Sequence, residues 1–201
     1  DDKPFSYEGT FYNFKDVSVQ PKPYQDPHPP IRVATASEDT FSMVGKLGYP
    51  IFISTNSDIP ELTDRLKLYR KARKNAGHNS KEDILLRIPA YISDDPEEAK
   101  LEPKDSTMHM INYSAAQIAS APNDETIKRL QKLANISYDD ILKNKVMYGT
   151  PSELVERIQE YKETLGITGL VLEMNYGGQI PSELVLKSIR KLTEKVIPHF
   201  K

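Results

Sequence analysis

Three short polar stretches stand where an apolar run gives way to a helix start, and these are the places where this sequence could do chemistry. The first is Ser37-Glu38-Asp39-Thr40, directly after the run Ile31–Ala36. Free backbone N–H groups and the positive end of the dipole make a helix start receptive to an anion, and two hydroxyls three residues apart add donors. A Ser in this place also caps a helix, and capping alone would account for it. The second stretch is Ser54-Thr55-Asn56, at the end of Tyr49–Thr55. These residues either face the same mouth or only begin a loop. The third is Asn175-Tyr176-Gly177-Gly178, after Gly169–Met174. It reads equally well as a ligand loop and as a plain strand-to-helix turn. Tyr91 and Ser93 close another apolar run and read as ordinary strand-end residues.

Other chemistries find little support. The chain has no cysteine, which excludes a thiol nucleophile, a disulfide framework and a Cys-ligated metal. Its histidines are His28, His78, His109 and His199; none has metal-ligand spacing, and surface placement is expected for each. No Walker loop, G-x-G-x-x-G or G-x-S-x-G occurs. The 27 basic and 29 acidic residues nearly balance, so nucleic acid and membrane surfaces are not expected partners. The basic run Arg65, Lys67, Arg70, Lys71, Arg73 and Lys74 surrounds one helical stripe and reads as a solvated face. No signal peptide or membrane span is expected, and a cytoplasmic location follows. The chain opens on Asp1, and a processed, excised or tagged N-terminus is the expectation.

The elements that must position these stretches fall into two parts. Residues 1–30 hold two short aromatic runs around Glu8-Gly9, a hairpin signal within Phe5–Phe14. Pro21, Pro23, Pro27, Pro29 and Pro30 then make a stiff, extended connector. Residues 31–201 alternate apolar runs with amphipathic helices. Strands are expected over 31–36, 49–55, 83–93 and 169–174. Phe41, Val44 and Leu47 form one inner stripe; Leu62, Leu66, Tyr69 and Ala76 form the next. Residues 104–147 read as a helical insertion, with pieces at Met108–Ala119, Asp124–Leu133 and Ser137–Leu142. Thr150-Pro151-Ser152-Glu153 is a capping box, and Leu154, Ile158, Tyr161 and Leu165 line the helix it starts. A last helix from Pro181 carries Leu184, Val185, Ile189, Leu192 and Val196. Nearly continuous apolar strands argue for a parallel sheet. Such a sheet closes as an open doubly wound sheet or as a (β/α) barrel, and four units make half of an eight-strand barrel.

Several segments resemble the bacterial luciferase-like flavin monooxygenases. They are the aromatic hairpin Phe5–Tyr12, the connector Pro21–Ile31, and Ala36-Ser37-Glu38-Asp39-Thr40 with Gly45 and Gly48. Tyr148-Gly149-Thr150-Pro151 with Glu153 and the ending Val196-Ile197-Pro198-His199-Phe200 are similar too. The resemblance implies an α/β fold: the C-terminal half, about four strand–helix units, of a (β/α)8 TIM barrel, entered just before the fifth strand. It places the phosphate of reduced FMN, or a deazaflavin such as F420, at Ser37 and Thr40. Ser54, Asn175, Gly177 and Gly178 join as the mouth wall. Several relatives carry an acid just before this Ser or two residues before it, where this chain has Ala36 and Thr35.

The implied activity is oxidation of an organic small-molecule substrate by O₂ with reduced flavin. The expected partners are a flavin reductase and a missing N-terminal half or second chain, because a half barrel exposes two strand edges and an apolar interior. A homo-oligomer is one form this could take, and the chain alone is expected to be incomplete and inactive. The alternatives are a non-catalytic flavin- or ligand-binding half-barrel module, and a stand-alone doubly wound binding domain unrelated to flavin.

Overall fold

A computed structural model describes residues 3–26, 28–55, 57–119, 127 and 135–201. The helix expected over Asp124–Leu133 lies outside the described residues, apart from Ile127. The chain divides into two compact units, Asp1–Ile31 and Arg32–Lys201.

The first unit is an antiparallel hairpin of β1 (Phe5–Glu8) and β2 (Asn13–Val17), in which Tyr7 faces Phe14. Gly9 N–H donates to the Tyr12 carbonyl and to Asn13 Oδ1, both at 3.0 Å. That closure puts Phe11 and Tyr12 in the turn and lengthens the second strand beyond the expected Phe14. Tyr12 and Phe14 stack with centroids 6.2 Å apart.

The second unit holds the strands β3 (Val33–Ala34), β4 (Ile51–Ser54), β5 (Ile84–Ile92), β6 (Met147–Gly149) and β7 (Gly169–Glu173). Its helices are α1 (Glu38–Leu47), α2 (Ile59–Asn75), α3 (Pro96–Leu101), α4 (Lys104–Ala119), α5 (Tyr138–Asn144), α6 (Pro151–Leu165) and α7 (Ser182–Lys191). A π-helical turn (Leu192–Val196) and a 3₁₀ turn (Ile197–Phe200) follow. Every strand pair in this unit is parallel. The expected strands pair in chain order, β3-β4-β5-β7, and β3 and β7 are the outer ones.

β6 was not expected, because three residues are too short a run to read as a strand. The Asp83 carbonyl accepts Ile51 N–H from β4, whereas the Ile84 carbonyl accepts Thr168 N–H beside β7. Odd residues of β5 thus bond toward β4. Ser93 N–H donates to Gly149 O, so β6 continues the edge that β4 has left. Pro89 sits within β5 at the gap between them: β4 ends opposite Arg87 and β6 begins opposite Ala90. Among the described residues no strand there asks for the N–H that proline lacks.

The core lies on one sheet face. Ile51, Ile53, Ile84, Leu86 and Ile88 are buried in one cluster with residues of α1, α2 and α6. On α1, Phe41 and Val44 are buried but Leu47 is 56% exposed. The inner face is Phe41-Val44-Gly45, the i, i+3, i+4 pattern. Gly45 is required there, since a Cβ would stand 2.4 Å from the Tyr69 carbonyl of α2. On α2, Arg73, not Ala76, completes the stripe Leu62-Leu66-Tyr69. All four expected residues of α6 are buried behind its capping box. On α7, Ser188 takes an inner place while Ile189 is 36% exposed, because the Ser188 hydroxyl accepts Ile92 N–H at 2.8 Å. A second cluster joins Tyr91 and Tyr148 to Ile111, Ile141, Val146 and Ile180. Among the described residues no helix is long and apolar enough to cross a membrane.

Candidate functional site

Two polar groupings lie toward the C-terminal ends of the strands. The first is the turn from β3 into α1. Ser37 is extended (φ −92°, ψ 154°) and caps the helix; its hydroxyl accepts Thr40 N–H at 3.4 Å and lies 2.7 Å from Thr40 Oγ1. Ser37 is exposed and Thr40 half-buried. The amides of Glu38 and Asp39 have no acceptor among the described residues, as the first turn of a helix requires.

Arg65, from α2, completes this turn. Its Nη1 donates to the Ala36 carbonyl at 2.6 Å and to Ser57 Oγ at 2.7 Å, and its Nη2 pairs with Glu61 at 2.6 Å. The guanidinium thereby ties the turn after β3 to the turn after β4. The expectation of a solvated basic face holds for Lys67, Lys71 and Lys74 but fails for the arginines. Arg70 donates to the Leu165 carbonyl at 2.7 Å, and buried Arg73 donates to the Gly48 carbonyl at 2.8 Å. Long planar donors reach helix and loop ends that a lysine cannot fork across. The signal was present in the i, i+4 spacing of Glu61 and Arg65.

Thr55 is buried and donates to the Lys145 carbonyl at 2.7 Å, a structural tie between the β4 end and the β6 start. Asn56 lies outside the described residues. Tyr91 is buried and donates to Glu102 at 2.6 Å; burial first, then that bond, pushes its hydroxyl above the ordinary tyrosine range. Ser93 donates to Glu98 at 3.0 Å. Thr55 thus fastens the end of the insertion, and Tyr91 and Ser93 fasten α3 and its end.

The loop Asn175-Gly178 is largely occupied with itself and with α4. Asn175 Oδ1 accepts Ile180 N–H at 3.0 Å, and its carbonyl accepts Gly178 N–H at 2.9 Å. Gly177 has φ 89°, and a Cβ there would stand 1.9 Å from the Ser106 carbonyl. Only glycine permits that approach.

The second grouping lies on the sheet face opposite the main core. Ser54 is half-buried and stands in register with Arg87, and Arg87 with Val171. Arg87 Nη2 pairs with Glu173 Oε1 at 2.5 Å. Tyr176 rises above the ordinary tyrosine range through burial and then the nearby Glu173 carboxylate, with Arg87 opposing. The sequence reading missed Arg87 and Glu173. A charge inside each of two otherwise apolar strands was the available signal. Ser54 and Arg87 thus share a row, whereas Ser37 and the loop after β7 belong to opposite outer strands.

A family model described as luciferase-like monooxygenase matches residues 1–168. The alkanal monooxygenase alpha chain of Photobacterium leiognathi is 25% identical, over 96% of this chain and 58% of that protein. The FMNH2-dependent dimethylsulfone monooxygenase of Pseudomonas putida is 29% identical, over 79% of this chain and 45% of that protein. The crystal structure of monooxygenase RslO1 from Streptomyces bottropensis superposes with a TM-score of 0.72 at 24% identity, covering 99% of this chain and 56% of that one. The chain spans about half the length of the curated relatives it matches.

Proposed function

The chain belongs to the luciferase-like monooxygenases, and we propose that it supplies the flavin-phosphate anchor and one wall of the reaction chamber of a flavin-dependent monooxygenase. The observation that carries this is the hydroxyl pair Ser37–Thr40, 2.7 Å apart on the exposed first turn of α1. Two hydroxyls and two amides without acceptors among the described residues are a donor set suited to a phosphate. Glu38 and Asp39 add negative charge to the same turn, and the Arg65 guanidinium, bonded to the adjoining Ala36 carbonyl, opposes it. The donor set therefore fits the group.

Ser37 and Thr40 would hold the phosphate, and Arg65 would keep their turn in place. Ser54 would line the wall. Asn175, Gly177 and Gly178 would shape the mouth by holding Tyr176 against α4. Bound reduced FMN supplies the electrons and the O₂ chemistry; the protein binds, orients and excludes water. The FMNH2-dependent relative favours FMN over F420.

The chain reads as about four strand–helix units of an eight-strand barrel. The half-buried second face and the partly exposed outer strands β3 and β7 support this. A second copy or another half would cover them, and a reductase would deliver the reduced flavin. Titration with FMN and with F420, followed by NAD(P)H-driven oxygen uptake with a reductase present, tests the reading. FMN binding with uptake once the partner is present is expected. Binding without turnover in any assembly would leave a non-catalytic module, and no flavin binding would overturn the reading.

A further inference from the structure

The Ser37 turn follows β3 and the loop Asn175–Gly178 follows β7, so within one chain they stand at opposite ends of the strand order. Both of these strands have a free side. The N–H groups of Val33 and Thr35 donate to the Pro50 and Phe52 carbonyls, which turns the Ala34 N–H and carbonyl away from β4. β7 pairs with β5, and among the described residues no strand lies on its other side. Unpaired backbone at a sheet edge is a template for another strand.

The helix layer is open in the same direction. Gly45 of α1 packs against the Tyr69 carbonyl of α2. Met43 and Leu47 each lie two residues from Gly45, which carries both about 160° around the helix from it, onto the flank away from α2. They are 52% and 56% exposed. At the other end of the sheet, Val171 of β7 is 39% exposed and Leu186 of the following helix α7 is 64% exposed. Apolar flanks beside bare strand edges mark surfaces that another protein covers.

We infer that this protein is a second copy of the same chain, and that two copies close one eight-strand barrel about a two-fold axis. β7 of each copy lies beside β3 of the other, parallel like every strand pair within the second unit. Two unlike free edges on one chain suit this closure, because both seams form together and no edge is left over. Four strands taken twice give eight, a number whose interior side chains just fill a barrel. The closure also joins what one chain keeps apart. The loop after β7 of one copy comes beside the Ser37–Thr40 turn of the other, so each anchor is completed by the partner copy. The inference rests on reading the chain as four units of a barrel, and its shared anchor rests in addition on phosphate binding at Ser37 and Thr40.

Sedimentation equilibrium over a range of concentrations should give twice the chain mass. M43E/L47E, which alters only the exposed flank of α1, should give a monomer whose circular dichroism matches the wild type. The chain has no cysteine, so single introduced cysteines report proximity without background. E38C and N175C, co-expressed on separate copies, should be joined by a short bismaleimide, because their turns end neighbouring strands about 5 Å apart. Neither variant should cross-link with itself across the barrel, and K71C on α2 should not cross-link with N175C. None of these measurements needs flavin. With FMN present, binding should strengthen as rising chain concentration forms dimers. A monomer at every concentration would overturn the inference and leave a different chain as the other half. A dimer that M43E/L47E leaves intact, or one in which E38C and N175C do not cross-link, would overturn it too. A dimer that cross-links as expected but binds no FMN would keep the closure and overturn only the phosphate reading.

Discussion

The hydroxyl of Ser106 donates to the Tyr176 carbonyl at 2.7 Å and accepts the Gln179 amide at 2.9 Å. One side chain in the first turn of α4 thus fastens the loop that follows the last strand. S106A strands both backbone groups and should cost about 1–3 kcal/mol. G177A should cost more, because it adds a positive φ for alanine to a clash with the Ser106 carbonyl. Urea denaturation of the two variants checks the order.

Arg73 is buried and bonds three acceptors at two separated residues, the Gly48 carbonyl at 2.8 Å, the Ser80 carbonyl at 2.9 Å and the Ser80 hydroxyl. It therefore closes the α2 end onto the turn after α1. R73M should destabilise by about 2–4 kcal/mol, since these acceptors lose charged donors. R73K should recover only part of this, because an ammonium cannot fork between the sites. Thermal unfolding of both variants is the measurement.

Ser37 serves the helix as a cap whatever else it holds. S37A should therefore destabilise α1 by about 1 kcal/mol, and S37G by only a few tenths. Both remove the hydroxyl, so both should weaken FMN binding alike. If affinity instead follows stability, the hydroxyl is a cap alone. Paired unfolding and FMN titrations separate these results.

Tyr69, Tyr91, Tyr138, Tyr148 and Tyr176 are all held above the ordinary tyrosine range, with burial the first cause in each. Their folded values exceed the unfolded value near 10. The stability they contribute is thus fully present below about pH 10 and is lost as pH rises toward the folded values. Stability should fall through the alkaline range, with part of the tyrosinate absorbance appearing only as the protein unfolds. A smooth phenolate titration complete before unfolding would contradict this.

The parts legible in the sequence were those governed by local rules. The capping box at Thr150, the Ser37 cap and the α6 stripe follow from spacing alone. The four longer apolar runs hold strands, the first two trimmed at both ends and the last by one residue, because apolar continuity marks a buried parallel strand. What escaped depends on distant partners. β6 is three residues that pair only because β4 stops short along β5. Arg65 and Arg73 look solvated until the carbonyls they reach are placed. Arg87 and Glu173 lie 86 positions apart and meet only through the register of β5 with β7. The Asn175–Gly178 loop was found, but its attachment to Ser106 needed the insertion to be folded.

The central claim is that the first turn of α1 holds a flavin by its phosphate. Fluorescence titration of FMN against riboflavin, which lacks the phosphate, on the wild-type chain and on an S37G/T40A double variant tests it directly. FMN should bind at least about tenfold more tightly than riboflavin, from one or more charge-assisted hydrogen bonds, and that preference should vanish in the double variant. Equal affinity of the two flavins for the wild-type chain, or a preference for FMN that survives both substitutions, would contradict it.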